Sequence, residues 1–276
     1  MIRLSLFHVP LPNVARAKLQ AYWRSEYAEA VKERRSALGL ERYAQVHVDP
    51  FFSVLRAVIS VTRSAPFLHL AAFFSGQRAS AAAPPSKATH LNQSAVVEAF
   101  TFPDGVRPGG SEEATGNALR ALQEHWRLWC HTSFGMIGEE HMIKTPTRDW
   151  PPTKIMFCLR RRESSSREEM QAYWREKHTP LATTCIETMG AAAYEQTHSL
   201  SPSTSSERLQ AWTGTNVAEY DGIASINFAS RRTLFASLMA PKTQRANMKL
   251  VVDEFQFVSP STSEFLVGDE YVFPLA

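Results

Sequence analysis

The chain has 276 residues, of which 44% are hydrophobic and 21% charged, as is usual for a globular protein with room for two cores. Its formal net charge is +3 and its longest basic run is the triplet at 160–162, so we expect no nucleic-acid partner. No segment approaches the roughly 18 apolar residues of a membrane-spanning helix, so we expect no membrane partner.

The cysteines and the N-terminus favour a cytoplasmic protein. Cys130, Cys158 and Cys185 are odd in number, lack the spacing of metal ligands and are typical of reduced core residues. The first eight residues lack the long apolar segment of a signal peptide and predict a strand. Nucleotide-binding and metal-ligand motifs are missing from the sequence, which agrees with a protein that uses no metal or organic cofactor.

A motif recurs after 151 residues. Gln20 to Arg24 returns as Gln171 to Arg175. The same offset relates a second group of identities: Gly39, Tyr43, Gln45 and His47 return as Gly190, Tyr194, Gln196 and His198. A period this long indicates a duplicated domain and not a solenoid. At one informative position the repeats differ, because Tyr27 of the first is replaced by His178 in the second.

Both repeats predict the element order β-α-β-β-α-β, which is the ferredoxin-like arrangement. The first has strands at 3–9, 43–48, 95–102 and 138–143, with helices at 19–31 and 114–127. The second has strands at 154–160, 194–199, 222–228 and 268–273, with helices at 170–185 and 232–257. We therefore predict a first domain at 1–143, a proline-rich linker at 144–153 and a second domain at 154–276.

Local signals add detail to these elements. Ser166 and Glu169 form a capping-box pattern, and Asn13 is the expected cap of the first helix. Gly39 and Gly190 suit helix C-termini. The segments 76–93 and 199–207 are predicted to be irregular loops.

Three motifs of the second repeat resemble the EthD family of the dimeric α/β-barrel superfamily. They are the Tyr-Trp-Arg helix that ends in His178, the strand with Tyr194, Gln196 and His198, and the triplet Tyr220-Asp221-Gly222. The resemblance implies that two ferredoxin-like α+β domains join their sheets into a barrel. A tandem duplication would supply both halves, giving an intramolecular dimeric α/β-barrel, as a monomer with internal pseudo-twofold symmetry or as a homodimer of such monomers.

The resemblance also implies a pocket between each sheet and its helices, with His178 facing inward. A neutral imidazole there could transfer a proton near neutral pH, although a buried histidine satisfied by a neighbour is the alternative. Tyr194, Gln196 and His198 share one strand face. They could hold an enolate oxygen together with Tyr173, or they could face the partner sheet across the barrel.

The first repeat has diverged at these positions. His47 and Gln45 are kept, but Tyr27 replaces the histidine, and Glu98 lies where family members commonly carry glutamate. In the second repeat we place Ser225 at the position of Glu98, and Leu159 at that of His8. Trp23 and Trp174 are expected to form core or pocket walls. We expect the second repeat to be active, while a first-repeat site of His8, Tyr27 and Glu98 stays open.

These observations favour a cofactor-independent lyase or isomerase acting on a small hydrophobic, aromatic or polyketide-like carbonyl compound. His178 would act as general base or acid, and Tyr173 and Tyr194 as hydrogen-bond donors. The alternatives are a non-catalytic small-molecule-binding or accessory protein, a cofactor-free monooxygenase, or a haem enzyme. The haem enzyme would use an axial histidine, for which the candidates are His125, His131, His178 and His198.

Overall fold

A computed structural model describes residues 1–49, 93–103, 112–147 and 150–274 of the chain. Nearly all of the predicted loop at 76–93 lies outside these residues. None of the helices in the described ranges is long and apolar enough to cross a membrane.

The first repeat contains four strands and four α-helices over the described residues. They are β1 (Ile2–Pro10), α1 (Arg16–Tyr22), α2 (Ala28–Glu33), α3 (Arg35–Leu38), β2 (Arg42–Val48), β3 (Val96–Phe102), α4 (Glu112–Trp129) and β4 (Cys130–Lys144). A π-helical turn at Trp23–Tyr27 joins α1 to α2.

The second repeat adds five strands and five α-helices. They are β5 (Thr153–Leu159), α5 (Arg167–Tyr173), α6 (Thr179–Met189), β6 (Ala193–Ser199), α7 (Pro202–Thr213), β7 (Asn216–Val217), β8 (Gly222–Phe228), α8 (Arg231–Met239), α9 (Pro241–Glu254) and β9 (Glu264–Phe273). A π-helical turn at Trp174–His178 joins α5 to α6.

Eight antiparallel strands close into a barrel. Their order is β1-β3-β2-β9-β5-β8-β6-β4, and β4 pairs again with β1. Each repeat contributes one four-stranded sheet, and the two sheets join where β2 pairs with β9 and where β4 pairs with β6. The short β7 runs parallel to β4 outside this order. The predicted α+β fold, with the barrel formed inside one chain, is confirmed.

Several local predictions are confirmed and one is wrong. Ser166 and Glu169 form the capping box, and Gly39 and Gly190 end their helices with positive φ, which glycine adopts without strain. Asn13 does not cap α1, which begins at Arg16 after an Ala15 that makes no side-chain cap.

Two predictions for the second repeat are corrected. The predicted loop at 199–207 contains the start of helix α7, with the Ser201 hydroxyl capping the Thr204 amide and Pro202 in the first turn. The predicted single helix at 232–257 is two helices, because Pro241 has no amide hydrogen to continue α8 and begins α9 instead.

The two faces of the barrel wall have different surroundings. Alternate strand residues pack against the helices and form hydrophobic cores around Trp23 in the first repeat and Tyr194 in the second. The other residues face the barrel interior, which is apolar around Phe7, Met156 and Leu266 at one end. At its other end the interior is charged.

Candidate functional site

A π-helical turn lies in each repeat at the position where the repeats differ. It runs from Trp23 to Tyr27 in the first repeat and from Trp174 to His178 in the second. In the second, the Trp174 carbonyl accepts the backbone N–H of Thr179 and also the Thr179 hydroxyl at 2.8 Å. Such turns inside α-helices occur frequently at functional sites, and both last residues face the sheet.

His178 is held by a carboxylate that the sequence analysis missed. Its Nδ1 lies 2.7 Å from Oδ2 of Asp253 on α9, and the Tyr173 hydroxyl donates to the other oxygen of Asp253 at 2.9 Å. The His178 ring also packs against Phe257, with ring centroids 5.1 Å apart. A carboxylate at Nδ1 favours the neutral tautomer with its proton there, so that Nε2 keeps the lone pair of a base.

The remaining ring nitrogen of His178 is available for chemistry. Nε2 makes no hydrogen bond to any described residue, and the side chain is 6% exposed while that of Asp253 is 20% exposed. Tyr173 is less suited to donate to a substrate, because its proton is already used by Asp253. Desolvation and this hydrogen bond raise the pKa of Tyr173 to about 12, so the phenol stays protonated.

An open, mainly apolar groove of about 500 Å³ lies beside this group. Its lining residues come from α6, α9 and the residues that follow α9: Leu181, Met248, Lys249, Val252, Asp253 and Gln256. This volume falls in the range of roughly 300–1,000 Å³ that is usual for small-molecule sites. Asp253 belongs to both the groove and the His178 group, whereas His178 itself does not line the groove.

Tyr194, Gln196 and His198 face the helices and not the partner sheet. Gln196 donates to the Tyr194 hydroxyl at 2.7 Å and to Thr179 Oγ1 at 2.8 Å, and its own Oε1 lies 3.0 Å from His198 Nε2. His198 stacks on Trp174 with ring centroids 4.3 Å apart. The three residues form a connected row under α6, which reaches His178 only through its neighbour Thr179.

The row is buried and its groups are neutral. Burial, with His141 and Arg175 nearby, lowers the pKa of His198 to about 3. Burial raises the pKa of Tyr194 to about 12. The first repeat keeps the same row, where Gln45 bonds to the Tyr43 hydroxyl at 2.7 Å and to His47 at 2.9 Å. Since both repeats build it alike, the row has a structural task that does not depend on the exchange of Tyr27 for His178.

The structure brings the three first-repeat candidates together around one carboxylate. Glu98 lies 2.6 Å from His8 Nε2 and accepts hydrogen bonds from the hydroxyls of Tyr43 at 2.6 Å and Tyr27 at 3.3 Å. The Trp126 indole donates to the Tyr27 hydroxyl at 2.8 Å. The side chains of His8, Tyr27, Tyr43 and Glu98 have no solvent exposure, so no substrate reaches them in this conformation.

Ser225 does not correspond to Glu98. Glu98 lies opposite Gln45, whereas Gln196, the counterpart of Gln45, lies opposite Ala224. Ser225 is one residue further along β8, lies opposite Glu195 and therefore faces the barrel interior. The second repeat thus has no carboxylate at the Glu98 position, and Asp253 on a helix is the acidic partner of its histidine.

The Tyr220-Asp221-Gly222 motif has a structural role. Asp221 accepts hydrogen bonds from the Arg161 side chain at 2.6 Å and from Arg167 Nε at 2.8 Å, tying the end of β5 to α5. Gly222 lies against the Trp174 ring, and a Cβ there would collide with it. The motif therefore fixes the tryptophan on which His198 stacks.

The other two histidines considered as haem ligands are His125 and His131. His125 Nδ1 lies 2.5 Å from the Tyr22 hydroxyl, and the His131 side chain lies outside the described residues. Among the described residues, no group of three or more His, Cys, Asp or Glu side chains is arranged to hold a metal ion.

Comparisons with known proteins agree with this architecture. Residues 162–261, which include both His178 and Asp253, match the model of the EthD domain. The matched residues lie within the second repeat. An anthrone oxidase-like protein of known structure is 10% identical, with a TM-score of 0.53 over 98% of this chain and 92% of its own.

At this identity the likeness to the anthrone oxidase-like protein shows the fold alone. A protein of Lactobacillus acidophilus NCFM, proposed to be a monooxygenase, is 9% identical, with a TM-score of 0.49 over 100% of this chain and 96% of its own. No curated protein sequence matches the chain.

Proposed function

We propose that the EthD domain of the second repeat is the active half of a cofactor-independent enzyme that abstracts a proton next to a carbonyl group. The observation that carries this proposal is the Asp253–His178 pair, with Nδ1 held at 2.7 Å and Nε2 unpartnered among the described residues beside an apolar groove. A carboxylate-oriented imidazole is a common general base in enzymes, since its pKa suits proton transfer near neutral pH.

The proposed chemistry uses each member of the group once. His178 Nε2 takes the proton from the carbon next to the carbonyl, and the electron pair moves onto the carbonyl oxygen as an enolate. Asp253 stabilises the imidazolium that forms and keeps the ring in place. The imidazolium then returns the proton to the substrate or to a leaving group, which gives isomerisation, elimination or cyclisation; loss of carbon dioxide would produce the same enolate.

The position of Lys249 favours a substrate that carries a negative charge. It lines the groove one helical turn before Asp253, yet it makes no ion pair with any described residue, because Asp253 is engaged by His178 and Tyr173. An apolar groove whose ammonium group makes no ion pair with a described residue suits a hydrophobic carbonyl compound with a carboxylate or phenolate.

The openness of the groove favours one second candidate, a non-catalytic ligand-binding protein. Catalytic sites usually exclude water, whereas Lys249, Val252 and Gln256 at this groove are exposed in the described conformation. A binder would need the apolar walls and Lys249 but not the Asp253–His178 pair.

Turnover of a panel of β-keto acids and hydroxyaryl ketones separates these candidates. We expect His178→Gln to lower kcat by a factor on the order of 10² while binding is kept, and Asp253→Asn to lower it in the same direction. Tyr27→Phe, at the counterpart position in the first repeat, is the matched control and should keep the wild-type rate.

Three results would redirect the account. An unchanged rate in His178→Gln would remove His178 from the mechanism. Saturable binding without turnover of any compound would favour the ligand-binding candidate. A Soret absorption band in the freshly purified protein would favour the haem-dependent alternative.

A further inference from the structure

Six charged side chains meet inside the barrel, at the end opposite its apolar core. They are three cations and three carboxylates: Arg3, Arg42 and Lys154 with Glu140, Glu195 and Glu270. All but Arg42 are buried, and the Arg42 side chain is only 19% exposed. Charges removed from water to this extent must be compensated by one another.

Glu195 is the centre of the cluster. Its carboxylate lies 2.7 Å from Lys154 Nζ, 3.0 Å from Arg42 and 3.2 Å from Arg3. Arg3 and Arg42 belong to the first repeat, so Glu195 links the two sheets. Burial alone would raise the pKa of Glu195, but the three cations hold it well below its usual range.

Part of the cluster obeys the internal symmetry. Arg3 on β1 pairs with Glu140 at 3.0 Å, and its counterpart Lys154 on β5 pairs with Glu270 at 2.6 Å. The strand registers agree, since Arg3 lies opposite Gly138 and Lys154 opposite Gly268. These two pairs alone would make each repeat neutral.

The other part of the cluster breaks the symmetry. The counterpart of Arg42 in the second repeat is Ala193, and the counterpart of Glu195 in the first is Ala44. The first repeat therefore contributes two cations and one carboxylate to the cluster, whereas the second contributes one cation and two carboxylates. Only a first repeat joined to a second repeat gives a balanced cluster.

We infer that the Arg42–Glu195 pair makes the sheet of each repeat selective for the unlike repeat. Two first repeats would bury two surplus cations in one barrel, and two second repeats would bury two surplus carboxylates. Uncompensated buried charge disfavours both, so the partner that fits each sheet is the repeat of opposite interior charge. Trp150 adds to this fit, because its ring covers Arg42 at 4.9 Å and its indole donates to Glu270.

Two double variants of the full chain distinguish the effect of charge asymmetry between the repeats from the effect of losing one ion pair. Arg42→Ala with Glu140→Ala removes one contacting pair but leaves the first repeat with a surplus cation and the second with a surplus carboxylate. Arg42→Ala with Glu195→Ala also removes one contacting pair but leaves both repeats neutral. In both variants the remaining charges balance within the barrel, so both are expected to fold.

The pairing of the two repeats is then measured after the linker between them is cleaved, since a short linker would otherwise enforce pairing within the chain. A protease site is inserted between Pro146 and Thr147, each folded chain is cut there, and native mass spectrometry counts unlike and like fragment pairs after exchange. The wild type and Arg42→Ala/Glu140→Ala should keep unlike pairs. Arg42→Ala/Glu195→Ala should show like pairs roughly tenfold or more in excess of the other two.

The outcomes decide the inference. Like pairs that appear only when the charge asymmetry is lost support it. Equal numbers of like pairs in the two double variants would overturn it, as would fragments that separate in all three chains.

Discussion

Tyr27 of the first repeat and its counterpart His178 in the second need different hydrogen-bond partners on the neighbouring helix. The phenol of Tyr27 accepts a hydrogen bond from the Trp126 indole, whereas the imidazole of His178 needs an acceptor and finds it in Asp253. Tyr27 has no solvent exposure, whereas Asp253, the partner of His178, lines an open groove. The same helix position therefore holds a core contact in the first repeat and, in our proposal, a reactive group in the second.

Lys249 gives a prediction about substrate charge. Replacing Lys249 with Gln should raise KM for an anionic substrate by about tenfold and leave kcat nearly unchanged, because the lost interaction is made in the ground state. Lys242→Gln, at an exposed position near the start of α9, is the matched control. Steady-state kinetics with the acid and its neutral methyl ester measure the effect. An equal loss for both compounds would contradict a charge-specific role.

His198 gives a prediction about pH and stability. Its folded pKa of about 3 lies below the usual value near 6.5, so the unfolded chain binds the extra proton. The contribution of the neutral His198 to the free energy of unfolding is therefore fully present above about pH 6.5. It decreases as the pH falls towards 3. His47, whose pKa burial also lowers to about 3, acts in the same direction.

Urea unfolding between pH 6.5 and 4.5 tests this relation above the range in which most carboxylates titrate. His198→Gln should reduce the slope of the free energy of unfolding against pH by up to about 1.4 kcal/mol per pH unit. Identical slopes for the variant and the wild type would show that His198 is protonated equally in both states.

Helix α7 shows an element whose packing crosses between the repeats. It belongs to the second repeat, yet its Leu209 and Trp212 complete the first-repeat core, where Trp212 lies 6.0 Å from the ring of Phe102. Arg120 and Gln123 of α4 donate to carbonyl oxygens of α7. The two repeats are therefore joined by a helix contact as well as by the strand seams.

Trp212→Ala should lower the free energy of unfolding by about 3–5 kcal/mol, because a buried ring is lost and a cavity remains. Leu128→Ala on α4 is the control, since Leu128 is 70% exposed and its loss should change the stability by less than about 0.5 kcal/mol. Urea denaturation followed by circular dichroism measures both. A Trp212→Ala chain as stable as the control would contradict the cross-repeat role of α7.

The elements that sequence patterns predict best are those with strong periodicity or caps. Alternating strands and the Ser166 capping box are found where they are predicted, since both depend on local spacing. Helix α7 escapes prediction because its start is rich in Ser and Thr and its apolar stripe is short. Its Ser201-Pro202 start was the signal that could have revealed it.

The candidate site is predictable only in part. The exchange of Tyr27 for His178 marks the position, but Asp253 lies 75 residues further along the chain on a helix with no motif. Its only signal was a carboxylate among apolar residues of that helix. Ser225 was misaligned by one residue because a register cannot be fixed without strand pairs.

At the scale of the whole molecule, duplication supplies both halves of a barrel and frees them to differ. The first repeat buries its His8–Glu98 cluster, while the second repeat exposes a groove beside His178. The division at 1–143 and 154–276 stays a proposal. An asymmetric charge cluster inside the barrel would keep the unlike halves together, so that only one of them needs to hold a site.

Exchange of carbon-bound protons tests the central claim most directly, because in the proposed chemistry abstraction by His178 precedes isomerisation, elimination and cyclisation alike. Aryl ketones and β-keto compounds are incubated in D2O with wild type or His178→Gln, and the signal of the proton next to the carbonyl is followed by NMR. The account predicts enzyme-dependent loss of that signal for at least one compound, slowed on the order of 10²-fold in the variant. Exchange at the same rate with both proteins, or binding without exchange, would contradict it.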